Sequence, residues 1–241
     1  MGKSCSAVRF PPVWQASEGG LLMLGGQLTT EWLLTAYRQG IFPWPVYDGQ
    51  TEILAWFSPD PRAILELDQL HVSHRLQRRL RSHRFQATLD VDFRSVIAAC
   101  AEARRPDEGT WITPHLAEAY VELHRLGVAH SVEVWQEGRL AGGVYGLALG
   151  GFFAGESMFH RERDASKVAL VHLVRHLKSR GFVLFDVQQA SPHLMRLGAT
   201  EVPRSEFLKR LKLALELPVS FTDPNRVPGL ARNPQFADIV P

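Results

Sequence analysis

Gly143-Val144-Tyr145-Gly146-Leu147-Ala148-Leu149-Gly150-Gly151-Phe152-Phe153, running on through Ala154 into Gly155-Glu156-Ser157-Met158-Phe159, is the stretch that decides how this chain folds. Nothing in it is charged before Glu156, so its strands read as fully buried, with the carboxylate at their lip. A buried acid needs a partner, a proton or a chemical task. One helix later a second apolar strand, Phe182-Val183-Leu184-Phe185, also ends in an acid, Asp186, with Gln188 two positions on. Residues two apart on a strand face the same way, so Asp186 and Gln188 share a side. The plain alternative is a hydrogen-bonded pair at a strand end. Two interior strands that deliver polar groups at the same relative place read as two walls of one active site.

Outward from these strands the pattern is regular. Ser166 to Arg180 predicts a helix with a broad apolar face (Val168, Leu170, Val171, Leu173, Val174, Leu177), basic residues in its last turn and Gly181 at its end. Upstream, Ser131-Val132-Glu133-Val134-Trp135 alternates as a half-buried strand, and Glu137-Gly138 turns into the apolar strand beginning at Leu140. Thr113-Pro114 starts a helix that runs to Gly127, Phe93 to Ala103 predicts another, and Ser73 to Ser82 a basic one with Leu76 and Leu80 inward. A last helix spans Ser205 to Glu216. Hairpin-paired strands, a helix, then a further strand suit an α/β (α+β) domain with an acetyltransferase-like (GNAT-type) mixed sheet; a doubly wound sheet would alternate more strictly. Residues 1–62 differ: they are rich in Pro, Gly and Trp, with one helix from the Thr29/Thr30 cap to Arg38, stopped by Gly40. Ile41-Phe42-Pro43-Trp44-Pro45 excludes helix, and Ile53 to Arg62 predicts a short strand broken by Pro59 and Pro61. The chain therefore divides into a small N-terminal domain, 1–62, and a catalytic domain with a tail, 63–241.

Bulk properties exclude several classes. With 241 residues, 45% hydrophobic and 22% charged, the chain has an ordinary globular composition. No apolar run is long enough for a membrane span and the N-terminus lacks a signal-peptide core, so the expected setting is soluble and cytoplasmic. Cys5 and Cys100 make neither a disulfide framework nor a metal motif.

Candidate motifs differ in strength. Gly142, Gly143, Gly146, Gly150 and Gly151 lie within a strand pattern and do not fit G-x-G-x-x-G, which argues for a close-packed cleft wall and against a nucleotide cofactor. Gly155 to Phe159 resembles a nucleophile elbow, but Phe159 replaces its last glycine. His172 and His176 have zinc-pair spacing, yet Leu173 stands where a metalloprotease needs glutamate, so no metal is expected. Glu156 and Asp186 as a glycosidase pair would sit in aliphatic surroundings unsuited to sugar. His71 to Arg84 is more telling: Arg75, Arg78, Arg79, Arg81 and Arg84 in fourteen residues without an acid, on a chain of net charge +2, favour a phosphate backbone partner. Trp44, Trp56 and Trp111 are stacking surfaces for an unpaired base or plain core.

Taken together, these segments resemble one family, the leucyl/phenylalanyl-tRNA–protein transferases. The matching runs are Tyr37 to Trp44, Trp56 to Arg62, Gly109 to Thr113, His130 to Trp135, Gly155 to Phe159, Ala165 to Lys167 and Leu197 to Ala199, with departures at His160, Asp164 and Val187. The resemblance implies transfer of Leu, Phe or Met from aminoacyl-tRNA to proteins or peptides that begin with Arg or Lys, by a monomer without cofactor or membrane partner. It implies that Gln188 accepts a hydrogen bond from the attacking amine, that Asp186 orients it, and that Glu156 and Asp186 form an acidic mouth for the acceptor. Val144, Met158, Leu170, Leu173 and Phe185 would then line the donor side-chain pocket, Trp56 and Trp111 would hold the terminal adenosine, and Arg75 to Arg84 the acceptor stem. A non-catalytic RNA-binding module and a coenzyme-A-dependent N-acyltransferase remain the alternatives.

Overall fold

The computed structural model describes residues 8–49, 51–103 and 110–222. The chain runs β1 (Leu21–Leu24), α1 (Thr30–Arg38), β2 (Phe42–Pro43), β3 (Val46–Asp48), β4 (Thr51–Ile53), β5 (Ala55–Phe57) and β6 (Arg62–Leu65). It continues through α2 (His74–Arg81), β7 (Gln86–Leu89), α3 (Phe93–Glu102), α4 (Pro114–Arg125), β8 (Ala129–Gln136), β9 (Arg139–Leu149) and β10 (Phe152–His160). Last come α5 (Ala165–Arg180), β11 (Leu184–Gln188), α6 (Pro192–Arg196), β12 (Ala199–Val202) and α7 (Arg204–Leu215). Thr29, Ser73, Asp92 and Thr113 each accept the backbone N–H of the third residue of the helix that follows, which is why the capping signals at Thr29 and Thr113 place their starts correctly.

The expected mixed sheet is present, with strand order β12-β6-β11-β10-β9-β8-β7. All neighbours are antiparallel except β10 and β11, the pair joined through α5. A separate three-stranded sheet, β1-β5-β2, and the hairpin β3-β4 make up the small N-terminal part. Pro43 sits in β2, an edge strand, where its missing N–H costs no ladder bond. Pro59 and Pro61 do not merely break a strand: they lie between β5 in the small sheet and β6 in the large one.

Helices cover both faces of the large sheet. α1, α3, α4 and α7 supply one core with Phe152, Ala154 and Phe159; α5 supplies the other with Val132, Val144, Phe153 and Phe185. The half-buried reading of Ser131 to Trp135 is therefore corrected. β8 is buried from Ala129 to Val134 because α3 and α4 pack on one side and α5 on the other. Its alternation of polar and apolar residues survives because Glu133, fully buried, accepts from Thr88 Oγ1 (2.6 Å), Ser131 Oγ (2.5 Å) and two backbone N–H groups.

The decisive feature is a parting. β10 and β11 pair only from Phe152–Leu184 to Ala154–Asp186, although both strands run on. Each carries a register shift just there: Gly155 faces Gly146 and Ser157 faces Tyr145, leaving Glu156 as the extra residue, while on β11 the shift falls between Asp186 and Gln188. Bulges of this kind re-aim side chains at sheet edges and clefts. Ser157 bonds to Cys100 of α3, Glu156 turns to the same face, and Met158 packs on the α5 face.

The glycines of β9 permit this. A Cβ on Gly146 would come within 2.2 Å of the Ala154 carbonyl oxygen and 2.5 Å of the Phe153 ring. Gly146→Ala is expected to destabilise the protein by about 1–3 kcal/mol, read as a lower urea midpoint with unchanged slope. An unmoved midpoint would contradict the close approach of β9 and β10.

Candidate active site

Asp186 is wholly buried and its charge is already matched. Arg62, at the start of β6, donates Nε to Oδ1 (2.9 Å) and Nη2 to Oδ2 (2.7 Å), the bidentate geometry that suits guanidinium and carboxylate. The third guanidinium nitrogen, Nη1, reaches the Gly40 carbonyl (3.1 Å), and the group lies between the Phe42 and Phe207 rings, 4.8 and 4.7 Å from their centroids. Asp186 Oδ1 also accepts the Gln188 backbone N–H (2.8 Å). Gln188 needs that contact, because its φ of +67° lies in the left-handed region, which costs a non-glycine residue about 1–3 kcal/mol.

Across the parting, Gln188 Nε2 donates to Glu156 Oε1 at 2.9 Å. The carboxyl neighbour fixes which end of the amide is which, so the Gln188 carbonyl oxygen is turned away from Glu156. Tyr37 from α1 donates to Glu156 Oε1 (2.8 Å), Tyr120 from α4 donates to Oε2 (2.9 Å), and the two hydroxyls touch each other. The three groups close a ring. With Glu156 ionised, both hydroxyl protons point at it and the Tyr37–Tyr120 contact holds none. With Glu156 neutral, its own proton completes the set: carboxyl to Tyr120, Tyr120 to Tyr37, Tyr37 back to the carboxyl. Burial, reinforced by the charge of Asp186, pushes Glu156 up to about 7 against the pull of its three donors. Burial likewise holds Tyr37 and Tyr120 far above their usual range.

Other expected site residues fall into three groups. Val144, Leu170, Leu173 and Phe185 meet on the α5 face and are buried, with half-buried Met158 beside them at the edge of a cleft. Trp56 offers no stacking face: it is fully buried against Phe10 and Trp32, with its Nε1 on the Gly25 carbonyl (2.8 Å). Trp111 stacks on Trp44 at 4.7 Å and is 5% exposed. Along α2 and its exit, Arg75 pairs with Asp164 (2.9 Å) and Arg84 with Glu162 (3.2 Å). Arg79 is half-buried, its guanidinium 5.9 Å from the Phe85 ring; Arg78 and Arg81 are exposed and make no ion pair among the described residues. His176 bonds the Phe221 carbonyl (2.7 Å), and no cluster of His, Cys, Asp and Glu among the described residues could hold a metal. Gly109 and Cys5 lie outside the described residues.

The acidic mouth expected from Glu156 and Asp186 together is therefore not what the geometry makes. Asp186, the last residue of β11 that pairs with β10, is wholly buried and held by Arg62, while Glu156 stands just beyond the last residue of β10 that pairs with β11. The sequence reading missed Arg62, Tyr37 and Tyr120, although Tyr37 and Arg62 close or open the runs that carried the resemblance.

The seven-stranded mixed sheet, parted where Gln188 meets Glu156, defines an α/β protein with a polar site at the ends of two neighbouring strands. Residues 64–212 match the sequence profile of leucyl/phenylalanyl-tRNA protein transferase, and residues 26–60 that of its N-terminal domain. A leucyl/phenylalanyl-tRNA–protein transferase of Aromatoleum aromaticum is 54% identical over 200 residues, covering 82% of this chain and 83% of its own. One of Oleidesulfovibrio alaskensis is 53% identical over 218 residues, covering 88% and 87%. Among solved structures, a GCN5-related N-acetyltransferase from Kribbella flavida superposes with a TM-score of 0.40 at 12% identity, over 68% of this chain and 58% of that one. The chain belongs to the leucyl/phenylalanyl-tRNA–protein transferase family.

Breaking a buried pair by removing one partner costs about 3–5 kcal/mol. Arg62→Met and Asp186→Asn are each expected to lose that much in urea unfolding, and the double variant less than the sum; strict additivity would show that the pair is not coupled. Titration gives a second test. Glu156 and Glu133 both sit near 7 when folded, through burial, against 4.5 for a free glutamate. The folded state thus binds more protons between those values, and stability falls as pH rises through the window, by up to about 3 kcal/mol per group. Glu156→Gln should flatten that fall in denaturant midpoints measured from pH 5 to 8; an unchanged slope would mean that the carboxyl is ionised throughout.

Proposed function

We propose that this chain transfers leucine or phenylalanine, and also methionine, from aminoacyl-tRNA to the α-amino group of proteins or peptides that begin with Arg or Lys, marking them for degradation. The observation that carries this reading is the Gln188–Glu156 contact, which turns an amide carbonyl oxygen away from the carboxyl at the point where β10 and β11 part.

The chemistry needs little more. An aminoacyl ester is already activated. The acceptor amine attacks the ester carbonyl carbon, the new C–N bond replaces the C–O bond to the ribose, and the proton lost from nitrogen ends on the leaving ribose oxygen. A free α-amine has a pKa of about 7.7–8.0, so a neutral fraction exists at pH 7. Positioning two such groups lowers the barrier by about 7–11 kcal/mol. Gln188 accepts a hydrogen bond from the attacking amine and aligns it; Asp186 acts through the Gln188 backbone. Glu156 meets the cationic first residue. Its neutral form suits the empty, buried ring, and an arriving guanidinium or ammonium favours the ionised form.

The donor side chain enters beside Met158 toward Val144, Leu170, Leu173 and Phe185; flexible Met158 suits a pocket that takes both Leu and Phe. Trp111, backed by Trp44, is the wall for the terminal adenosine. Exposed Arg78 and Arg81 are the best placed of the α2 cations for acceptor-stem phosphates.

Incubation with labelled Leu-tRNA is expected to move label to an Arg-initiated dipeptide and not to a Glu-initiated one. Gln188→Ala should slow single-turnover transfer by about 10²–10³-fold with donor binding retained. Full activity in that variant would remove Gln188 from the chemistry.

A further inference from the structure

Where β10 ends and α5 begins, beyond Met158, the surface holds a cleft of about 490 Å³. Three permanent cations line it, Arg75, Arg163 and Lys167, against one acid, Asp164. Asp164 stands at the N-cap of α5 with φ +72°, yet its side chain caps nothing. Its carboxylate instead takes Arg75 Nη2 at 2.9 Å and lies 3.8 Å from Lys167 Nζ. Two consequences follow. The acid gathers cations from α2 and α5 into one place, and the N–H groups of Ser166 and Lys167 in the first helical turn receive no side-chain cap, leaving the positive end of the α5 dipole facing the cleft. Arg163 makes no ion pair among the described residues, so a net charge of about +2 remains even with His160 and His193 neutral. His193, also in the lining, is held below its usual range by burial and then by Lys167, Arg196 and His160 nearby. Ser166, 6% exposed, adds a hydroxyl to the lining.

Place selects the ligand. Met158 lines the cleft and also packs with Val144, Leu170, Leu173 and Phe185, the wall proposed above for the donor side chain, on the face of β10 opposite Glu156. A cationic acceptor is repelled here and drawn to Glu156. A donor seated against Met158 carries a polyanionic remainder that the cations of this cleft would attract. We infer that this cleft seats the phosphodiester groups joining the last nucleotides of the donor's 3′ end, with Lys167, Arg163 and the α5 N-terminus as their ligands. This rests on the aminoacyl-tRNA reading above, and it gives a task to the Ala165-Ser166-Lys167 run and to His160 and Asp164, which that reading left without one.

The test compares Arg163→Gln/Lys167→Gln with the unaltered chain in direct binding, using the trinucleotide C-C-A and a leucyl-adenosine analogue that has no phosphate. The double variant is expected to bind the trinucleotide roughly tenfold more weakly and to flatten the slope of log K against log salt by about 1.4, two phosphate contacts at ~0.7 each for a single strand. Affinity for the phosphate-free analogue should move less than twofold. Unchanged trinucleotide affinity and slope, or an equal loss for both ligands, would overturn the inference. Label transfer from Leu-tRNA by the unaltered chain is scored alongside. Transfer with an unaffected trinucleotide slope sinks the cleft and keeps the enzyme; a phosphate-specific loss without transfer keeps the cleft and sinks the enzyme.

Discussion

The ion pair between Arg62 and Asp186 is the constraint on which the site depends. Both side chains are almost entirely out of water, at 1% and 0% exposure. Such a pair repays its desolvation only with near-ideal geometry and every remaining donor satisfied. Here the carboxylate takes two guanidinium bonds and one backbone N–H, and the guanidinium adds the Gly40 carbonyl and two aromatic faces. One cluster thereby ties the end of α1, the first residue of β6 and the bulge of β11. It also holds Gln188 in a backbone conformation that it would not adopt alone.

From that anchor the parting of β10 and β11 sorts the molecule by charge. One face presents a carboxyl that shares protons with Tyr37 and Tyr120; the other presents aliphatic and aromatic side chains. Beyond them stands a cationic cleft. A cationic acceptor, an apolar donor side chain and a polyanionic donor body would each meet a different environment within a few residues of Gln188.

Much of this was legible in the sequence, for reasons that can be named. Thr29 and Thr113 marked helix starts because a cap hydroxyl is a local signal, and Gly181 marked the end of α5 because its φ of +83° suits glycine. The buried strands declared themselves by their lack of charge, and their polar ends pointed to Glu156, Asp186 and Gln188. What stayed hidden was non-local. A spacing of two puts Glu156 and Met158 on one face; the bulge at Glu156 puts them on opposite faces, and nothing in the residues themselves announces it. Arg62 looked like the tail of a proline-broken segment because its partner lies far along the chain. Trp56 could have been platform or core, and only packing against Phe10 and Trp32 decides for core. β12 and α6, four and five residues long, are too short for periodicity to register.

The central claim is that Asp186 serves the reaction by holding Gln188, while the acceptor's charge is met at Glu156. The most direct measurement is steady-state leucyl transfer to an Arg-initiated peptide by Asp186→Asn, at a temperature where circular dichroism shows the variant folded. The account predicts a kcat lowered at least tenfold with KM for the peptide changed less than threefold. A raised KM for the cationic peptide with kcat preserved would place Asp186 at the acceptor's mouth and contradict it.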